Sequence, residues 1–146
     1  MKAVRIAAPL EIGVAEIERP ALGASVTDST FVMVIGCGMV GLGAVVRASL
    51  RGATVIAADI DDEKLELARQ AGATYTVNTM TEDVHARIQE ITDGLGADVV
   101  IEAVGSPATY VMAVNEVGFT GCVTCIGSPR ARCRSRQSCS YRKSST

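Results

Sequence analysis

Three glycines at fixed spacing are the residues of this sequence whose types point most directly to chemistry. Gly36, Gly38 and Gly41 form the pattern G-x-G-x-x-G between an apolar run of strand length and a stretch with helical spacing. Glycine at such a turn permits a tight bend, close approach of a phosphate to the backbone, and close helix–strand packing. The helix N-terminus adds N–H groups and positive potential. The pattern predicts a pyrophosphate-binding loop; the alternative is a turn whose glycines serve packing alone.

A carboxylate follows the glycines at the distance that a dinucleotide site requires. Asp59 ends the next apolar run, about 20 residues further on. There it can accept hydrogen bonds from both ribose hydroxyls, and its charge would repel a 2′-phosphate, so NAD is favoured over NADP. Asp61 and Asp62 strengthen this bias. The alternative for Asp59 is a cap on the following helix, a role that Asp61 and Asp62 fit better.

The elements that must position these residues alternate regularly along the chain. Continuous apolar runs, typical of buried parallel strands, alternate with helical patterns of 10–14 residues. We predict strands over 31–36, 54–59, 75–78, 97–105 and 121–127, and helices over 39–52, 62–72, 81–94 and 106–118. In these helices Thr81 is a candidate N-cap and Pro107 stands in a first turn. The fold class is therefore α/β, a doubly wound parallel (Rossmann) sheet that lacks its sixth strand.

Composition divides the chain into three parts. Residues 1–24 predict a short β arm and 25–128 the dinucleotide-binding domain. Residues 129–146 hold five Arg, one Lys and no acid, so all sixteen acids precede them. This tail has almost no apolar residues and no periodicity, so we expect it to be disordered. Its charge would permit nucleic-acid binding, but charge alone is weak support and we do not expect that function.

The remaining polar candidates favour structural roles. Cys122 and Cys125 form C-x-x-C within a predicted strand, where they point to opposite faces and are expected to be buried apolar residues rather than metal ligands. His85, the one histidine, is expected on a solvated helix surface, and Cys37 is expected to pack within the glycine loop. Five cysteines, an odd number without the spacing of a disulfide scaffold, and the absence of a signal-peptide core favour a cytoplasmic protein. The uncharged run 31–46 is too short to span a membrane.

Longer stretches resemble one family, the zinc-dependent medium-chain alcohol dehydrogenases, and in particular its sugar, polyol and sugar-acid dehydrogenases. The opening "MKAVRIAAPLEIGVAEIERPALGA" is similar to the start of these enzymes. "VMVIGCGMVGLGAVV", "ATVIAADIDDEKLELARQAGA", "GADVVIEAVGSPATY" and "VGFTGCVTCIG" resemble their cofactor domain from its first strand to its fifth. The resemblance implies NAD as cofactor, a small alcohol or polyol as substrate, and zinc in the family.

The resemblance also implies individual cofactor contacts. It places the pyrophosphate on the glycine loop, at Gly36, Gly38, Met39, Val40 and Gly41. It places a ribose on Asp59, with Lys64 as a nearby cation. The adenine–ribose side would lie against Val104 and Gly105. Ile126 and Gly127 would approach the nicotinamide through their backbone.

The sequence also departs from the family. No cysteine precedes Cys37, no G-H-E segment occurs, and the sixth strand is missing, so neither a catalytic residue nor a zinc site can be assigned. We expect an internally deleted, frame-shifted dehydrogenase remnant that cannot catalyse oxidation alone, and that self-associates through its open sheet edge. The alternative is a non-catalytic NAD-binding or regulatory module. A methyltransferase also places glycines and an acid after successive strands, but the G-x-G-x-x-G spacing favours NAD.

Overall fold

Two antiparallel strands begin the described part of the chain. The structure, a computed structural model, describes residues 2–8, 11–16, 29–127 and 140–142. Strand β1 (Lys2–Ala8) pairs with β2 (Glu11–Glu16) in a sheet of their own. The alternation of polar and apolar residues in this segment predicted a β arm, and these strands agree with it. The boundary of the arm at residue 24 lies outside the described residues.

Five parallel strands alternate with four helices between Phe31 and Cys125. The strands are β3 (Phe31–Ile35), β4 (Thr54–Asp59), β5 (Tyr75–Asn78), β6 (Ala97–Glu102) and β7 (Val117–Cys125). The helices are α1 (Met39–Ser49), α2 (Asp62–Gln70), α3 (Val84–Ile91) and α4 (Pro107–Glu116). The doubly wound α/β fold predicted from the sequence is confirmed.

The order of the strands creates a crevice. The sheet runs β5-β4-β3-β6-β7, so the chain moves outward from β3 through β4 and β5 and then returns to the other side of β3. The loops that follow β3 and β6 therefore leave the sheet in opposite directions. Ligands of doubly wound folds bind at this point, beyond the carboxyl ends of the strands.

Strand β3 shows how the two faces of the sheet are buried. Val32 and Val34 pack with helix residues such as Val45 in one apolar cluster, whereas Met33 and Ile35 join a second cluster on the other face. Because side chains alternate along a strand, an uninterrupted apolar run is what burial on both faces requires.

Several element boundaries differ from those predicted, and two of them, the starts of α3 and β7, have an identifiable cause. Thr81 does not cap α3: Asp83 does, and its side chain accepts a hydrogen bond from the Ala86 N–H at 3.1 Å. The N–H of Thr81 instead donates to the Asn78 carbonyl in a turn. Strand β7 begins at Val117, directly after α4, rather than at Gly121. It pairs with β6 through a register shift between Ala97 and Val99, an irregularity that simple apolar patterning does not indicate.

Alanine substitutions at Asp83 and Thr81 test which of the two residues caps α3. We expect Asp83→Ala to lower the free energy of unfolding by about 1 kcal/mol, because it removes the acceptor of a helix N–H. Thr81→Ala, the matched control two residues away, should change it by less than about 0.5 kcal/mol. Urea denaturation followed by circular dichroism measures both. A larger loss for Thr81→Ala than for Asp83→Ala would contradict the assignment.

Three residues of the basic tail extend the sheet. Strand β8 (Ser140–Arg142) pairs antiparallel with Cys122, Val123 and Thr124 of β7. These residues depart from the expectation of a disordered tail, because the outer edge of β7 offers backbone groups to pair with; the rest of the tail lies outside the described residues. Strand β8 is the sixth strand of the sheet, next to β7, although the sequence predicted a sheet without a sixth strand. It covers three of the nine residues of β7, and self-association stays a prediction.

In the described part of the chain, no helix is long and apolar enough to cross a membrane.

Candidate cofactor site

The three glycines meet where β3 turns into α1. Gly36 has φ +93°, a left-handed conformation that favours glycine, and its N–H donates to the Ala58 carbonyl at 2.8 Å. A Cβ on Gly36 would lie 2.6 Å from Cγ2 of Val104, and a Cβ on Gly41 would overlap the carbonyl oxygen of Gly36. By contrast, a Cβ on Gly38 would have no atom within 4 Å. Two of the glycines thus permit close packing, whereas the third leaves open space at the backbone.

The start of α1 is suited to an anion. Gly38 is the N-cap and supplies no side-chain acceptor to the first helical N–H groups. Those groups have no acceptor within the helix, and they carry the positive end of its dipole. Met39 and Val40 are 92% and 56% exposed, so their side chains do not enter the core. The open space at Gly38 therefore lies beside N–H groups that have no acceptor within the helix.

Asp59 ties the end of β4 to the glycine loop. Its Oδ2 accepts a hydrogen bond from the Cys37 N–H at 2.6 Å, and its Oδ1 accepts from Ile60 and Asp61 at 2.8 and 3.1 Å. A carboxylate has about four lone-pair sites, so it retains capacity for a ligand hydroxyl. The cap of α2 is Asp61, which accepts from the Glu63 N–H at 2.9 Å. Asp61, and not Asp59, therefore fills the role of helix cap that was considered for Asp59.

Cys37 is a packing residue of the loop. It is 1% exposed, and burial together with the charge of Asp59 raises the pKa of its thiol to about 12, against a smaller opposing effect of Lys64. The thiol is therefore neutral at physiological pH and is not an activated nucleophile. Lys64 itself is exposed on α2, close enough for its charge to act at the glycine loop.

The other wall of the crevice consists of the segments after β6 and β7. The Ala103 N–H donates to the Ile35 carbonyl, and the N–H groups of Ile126 and Gly127 both donate to the carbonyl of Glu102. Val104 and Ile126 expose about half of their surface, at 47% and 50%. The structure therefore brings the predicted contact residues of both segments to the same end of the sheet as the glycine loop.

Glu102 is a residue of this wall that sequence reasoning missed. It ends β6 with no exposed surface, and its Oε1 accepts hydrogen bonds at 2.8 Å from the Val104 and Gly105 N–H groups and the Thr109 hydroxyl. Thr109 also forms a capping box with Ser106 at the start of α4. A single acid within the apolar run "VVIEAVG" is the signal that would have identified it, because unpaired acids are rare in buried strands.

The remaining candidates lie away from the crevice. His85 is 64% exposed, as expected for a surface histidine, but its Nδ1 lies 3.1 Å from the carboxylate of Glu116, which is 4% exposed. That pair was not predicted. Cys122 and Cys125 are partly buried rather than fully buried, and Cys125 packs on the second apolar cluster with Val123. Among the described residues, no group of three His, Cys, Asp or Glu side chains is arranged to hold a metal ion.

Comparison with known families gives a match over most of the chain. The family model described as "Zinc-binding dehydrogenase" matches residues 39–140. The erythritol/L-threitol dehydrogenase of Mycolicibacterium smegmatis is 36% identical over 110 residues, covering 75% of this chain and 29% of the relative. The NAD-dependent alcohol dehydrogenase of Sulfurisphaera tokodaii is 38% identical over 115 residues, covering 73% of this chain and 33% of the relative. The chain thus spans about a third of the length of these curated relatives.

Solved structures give the same result. The alcohol dehydrogenase TADH from Thermus sp. ATN1 superposes with a TM-score of 0.69 and 36% identity, over 74% of this chain and 31% of that one. The benzyl alcohol dehydrogenase from Acinetobacter calcoaceticus gives a TM-score of 0.70 and 38% identity, over 77% of this chain and 31% of that one. The similarity extends to both sequence and fold.

Proposed function

This chain belongs to the zinc-binding dehydrogenase family, and we propose that the crevice beyond β3 and β6 is an NAD site. The observation that carries the proposal is the junction of β3 and α1. There Gly41 packs against Gly36 while Gly38 leaves its backbone open beside the donors of a helix N-terminus. Bound NAD would supply a hydride acceptor. The residues of this chain would bind and orient it.

The pyrophosphate would lie on the glycine loop. The N–H groups at the start of α1 would donate to its oxygens, and the helix dipole would favour its charge. The side chains of Met39 and Val40 point away from the core, which leaves the backbone of these residues to make the contacts. Gly36 and Gly41 would act indirectly, because their packing sets the position of the loop.

The adenosine ribose would be bound by Asp59. The three N–H groups that already donate to this carboxylate hold it at the loop, so its remaining lone pairs have a defined direction. Its charge would disfavour a 2′-phosphate, and NAD would be bound in preference to NADP. Lys64 would act as a nearby cation.

The crevice wall after β6 and β7 would hold the rest of the cofactor. Val104 and Gly105 would line the adenine–ribose side, and Ile126 and Gly127 the nicotinamide side. The hydrogen bonds that both segments make to Glu102 support this proposal, because they hold the two segments in one place.

Zinc does not fit the described residues, since they present no suitable group of ligands. For the described residues we therefore propose cofactor binding without turnover. Oxidation of a secondary alcohol or polyol is proposed for the family's longer proteins, in keeping with the names of its relatives. A regulatory NAD-binding module remains the alternative.

Calorimetric titration of the 146-residue chain tests the proposal. We expect saturable binding of NAD+ and an affinity for NADP+ that is at least about tenfold weaker, because a 2′-phosphate would face Asp59. ADP-ribose, which has the pyrophosphate and both riboses, is the positive control for the loop. Absence of NAD+ binding at millimolar concentration would refute the proposed function, and equal affinities for NAD+ and NADP+ would refute the role of Asp59.

A further inference from the structure

The two oxygens of the Glu102 carboxylate differ in their hydrogen bonding. Its Oε1 accepts three hydrogen bonds from neutral donors, whereas its Oε2 is buried without a hydrogen-bond partner in the described part of the chain. Within those residues it also forms no ion pair. A buried acid usually has a cationic partner or a metal, because burial of an unpaired charge is unfavourable. Glu102 is therefore a buried acid that has no cationic partner in the described part of the chain.

The unpartnered oxygen faces the segment assigned to the nicotinamide. A Cβ on Gly127 would lie 2.7 Å from Oε2 and would also overlap the Gly105 backbone. Because both residues are glycines, no side chain separates the carboxylate from the backbone of either segment. The Tyr110 hydroxyl donates to the Gly127 carbonyl at 2.9 Å, which holds the segment against α4.

We propose that Glu102 is a specificity-determining residue that strengthens binding of the oxidised, cationic nicotinamide relative to the reduced, neutral one. The inference rests on the proposed NAD site. NAD+ and NADH share the same adenosine and pyrophosphate groups, so contacts of the glycine loop and Asp59 are common to both. They differ by one positive charge on the nicotinamide ring. A negative charge behind Gly127 would attract only the oxidised form.

Burial makes this attraction effective. Glu102 has no exposed surface, so water screens its charge less than it screens the charge of an exposed acid. Two backbone N–H groups and a hydroxyl donate to Oε1 and hold the carboxylate in one position. We expect the preference for NAD+ that is due to Glu102 to be about tenfold.

The test compares the dissociation constants of NAD+ and NADH in the full chain and in Glu102→Gln. Glutamine keeps an acceptor oxygen for the three donors and removes the charge. We expect the ratio of the NADH to the NAD+ dissociation constant to fall about tenfold. The matched control is Glu116→Gln, because Glu116 is also buried but lies at the end of α4, next to the start of β7 and away from the crevice. Its ratio should equal that of the unaltered chain.

The outcomes separate this inference from the proposed function. If the unaltered chain binds neither cofactor, the proposed function fails and the inference fails with it. If both cofactors bind and Glu102→Gln weakens them equally, the residue has only a structural role and the inference is overturned. Should Glu102→Gln not fold, Glu102→Asp retains the charge one methylene further from Gly127. We then expect about a threefold fall in the ratio, and an unchanged ratio would overturn the inference.

Discussion

Replacing Gly41 by valine is expected to abolish NAD binding and to lower the free energy of unfolding by about 3 kcal/mol or more. The reason is steric. Even a Cβ at this position would overlap the carbonyl oxygen of Gly36, which belongs to the backbone and cannot rotate away. Helix α1 would have to move off β3, and its first N–H groups would no longer face the open space at Gly38.

Gly43→Ala is the matched control for this substitution. Gly43 lies two residues further along α1, is exposed, and has no atom within 4 Å of an added Cβ. Alanine should stabilise the helix there by up to about 1 kcal/mol, since glycine has the lower helix propensity. Calorimetric titration and thermal unfolding measure the two effects. Normal NAD+ affinity in Gly41→Val would show that the close packing of these glycines does not shape the site.

Asp59→Asn is expected to weaken NAD+ binding by about 10- to 100-fold and to reduce the discrimination against NADP+. The substitution removes the charged carboxylate that would accept hydrogen bonds from the ribose hydroxyls. A hydrogen bond to a charged group is worth about 1.5–3 kcal/mol. It also places an amide opposite the N–H groups of Cys37, Ile60 and Asp61. The glycine loop would thereby lose part of its attachment to β4.

Glu63→Gln serves as the charge-matched control. Glu63 is an exposed acid in the first turn of α2, so its replacement changes the net charge equally but alters no hydrogen bond of the loop. We expect its NAD+ affinity to change less than twofold. Equal weakening in both variants would mean that the general negative potential of the region, rather than the carboxylate of Asp59, governs binding.

Local patterns in the sequence were sufficient for the framework of the site. The apolar run 31–35, the glycines after it and Asp59 after the next run predicted the β3–α1 junction and the acid beside it. Each of these signals reflects physics that acts over a few residues: the alternation of side chains, the conformational freedom of glycine, and the spacing of a βαβ unit. The five parallel strands and the family followed from the same information.

Only the tertiary structure decided which polar groups act together. Cys37 and Asp59 are 22 residues apart, and His85 and Glu116 are 31 apart, yet each pair is in contact. Glu102 connects the segments after β6 and β7. Strand β8 pairs with the edge of β7, although the tail has no periodicity that would predict a strand. Such contacts form where the sheet brings distant backbone together. A hydrogen bond has no sequence period of its own, so its partners become identifiable only once the strands are in register.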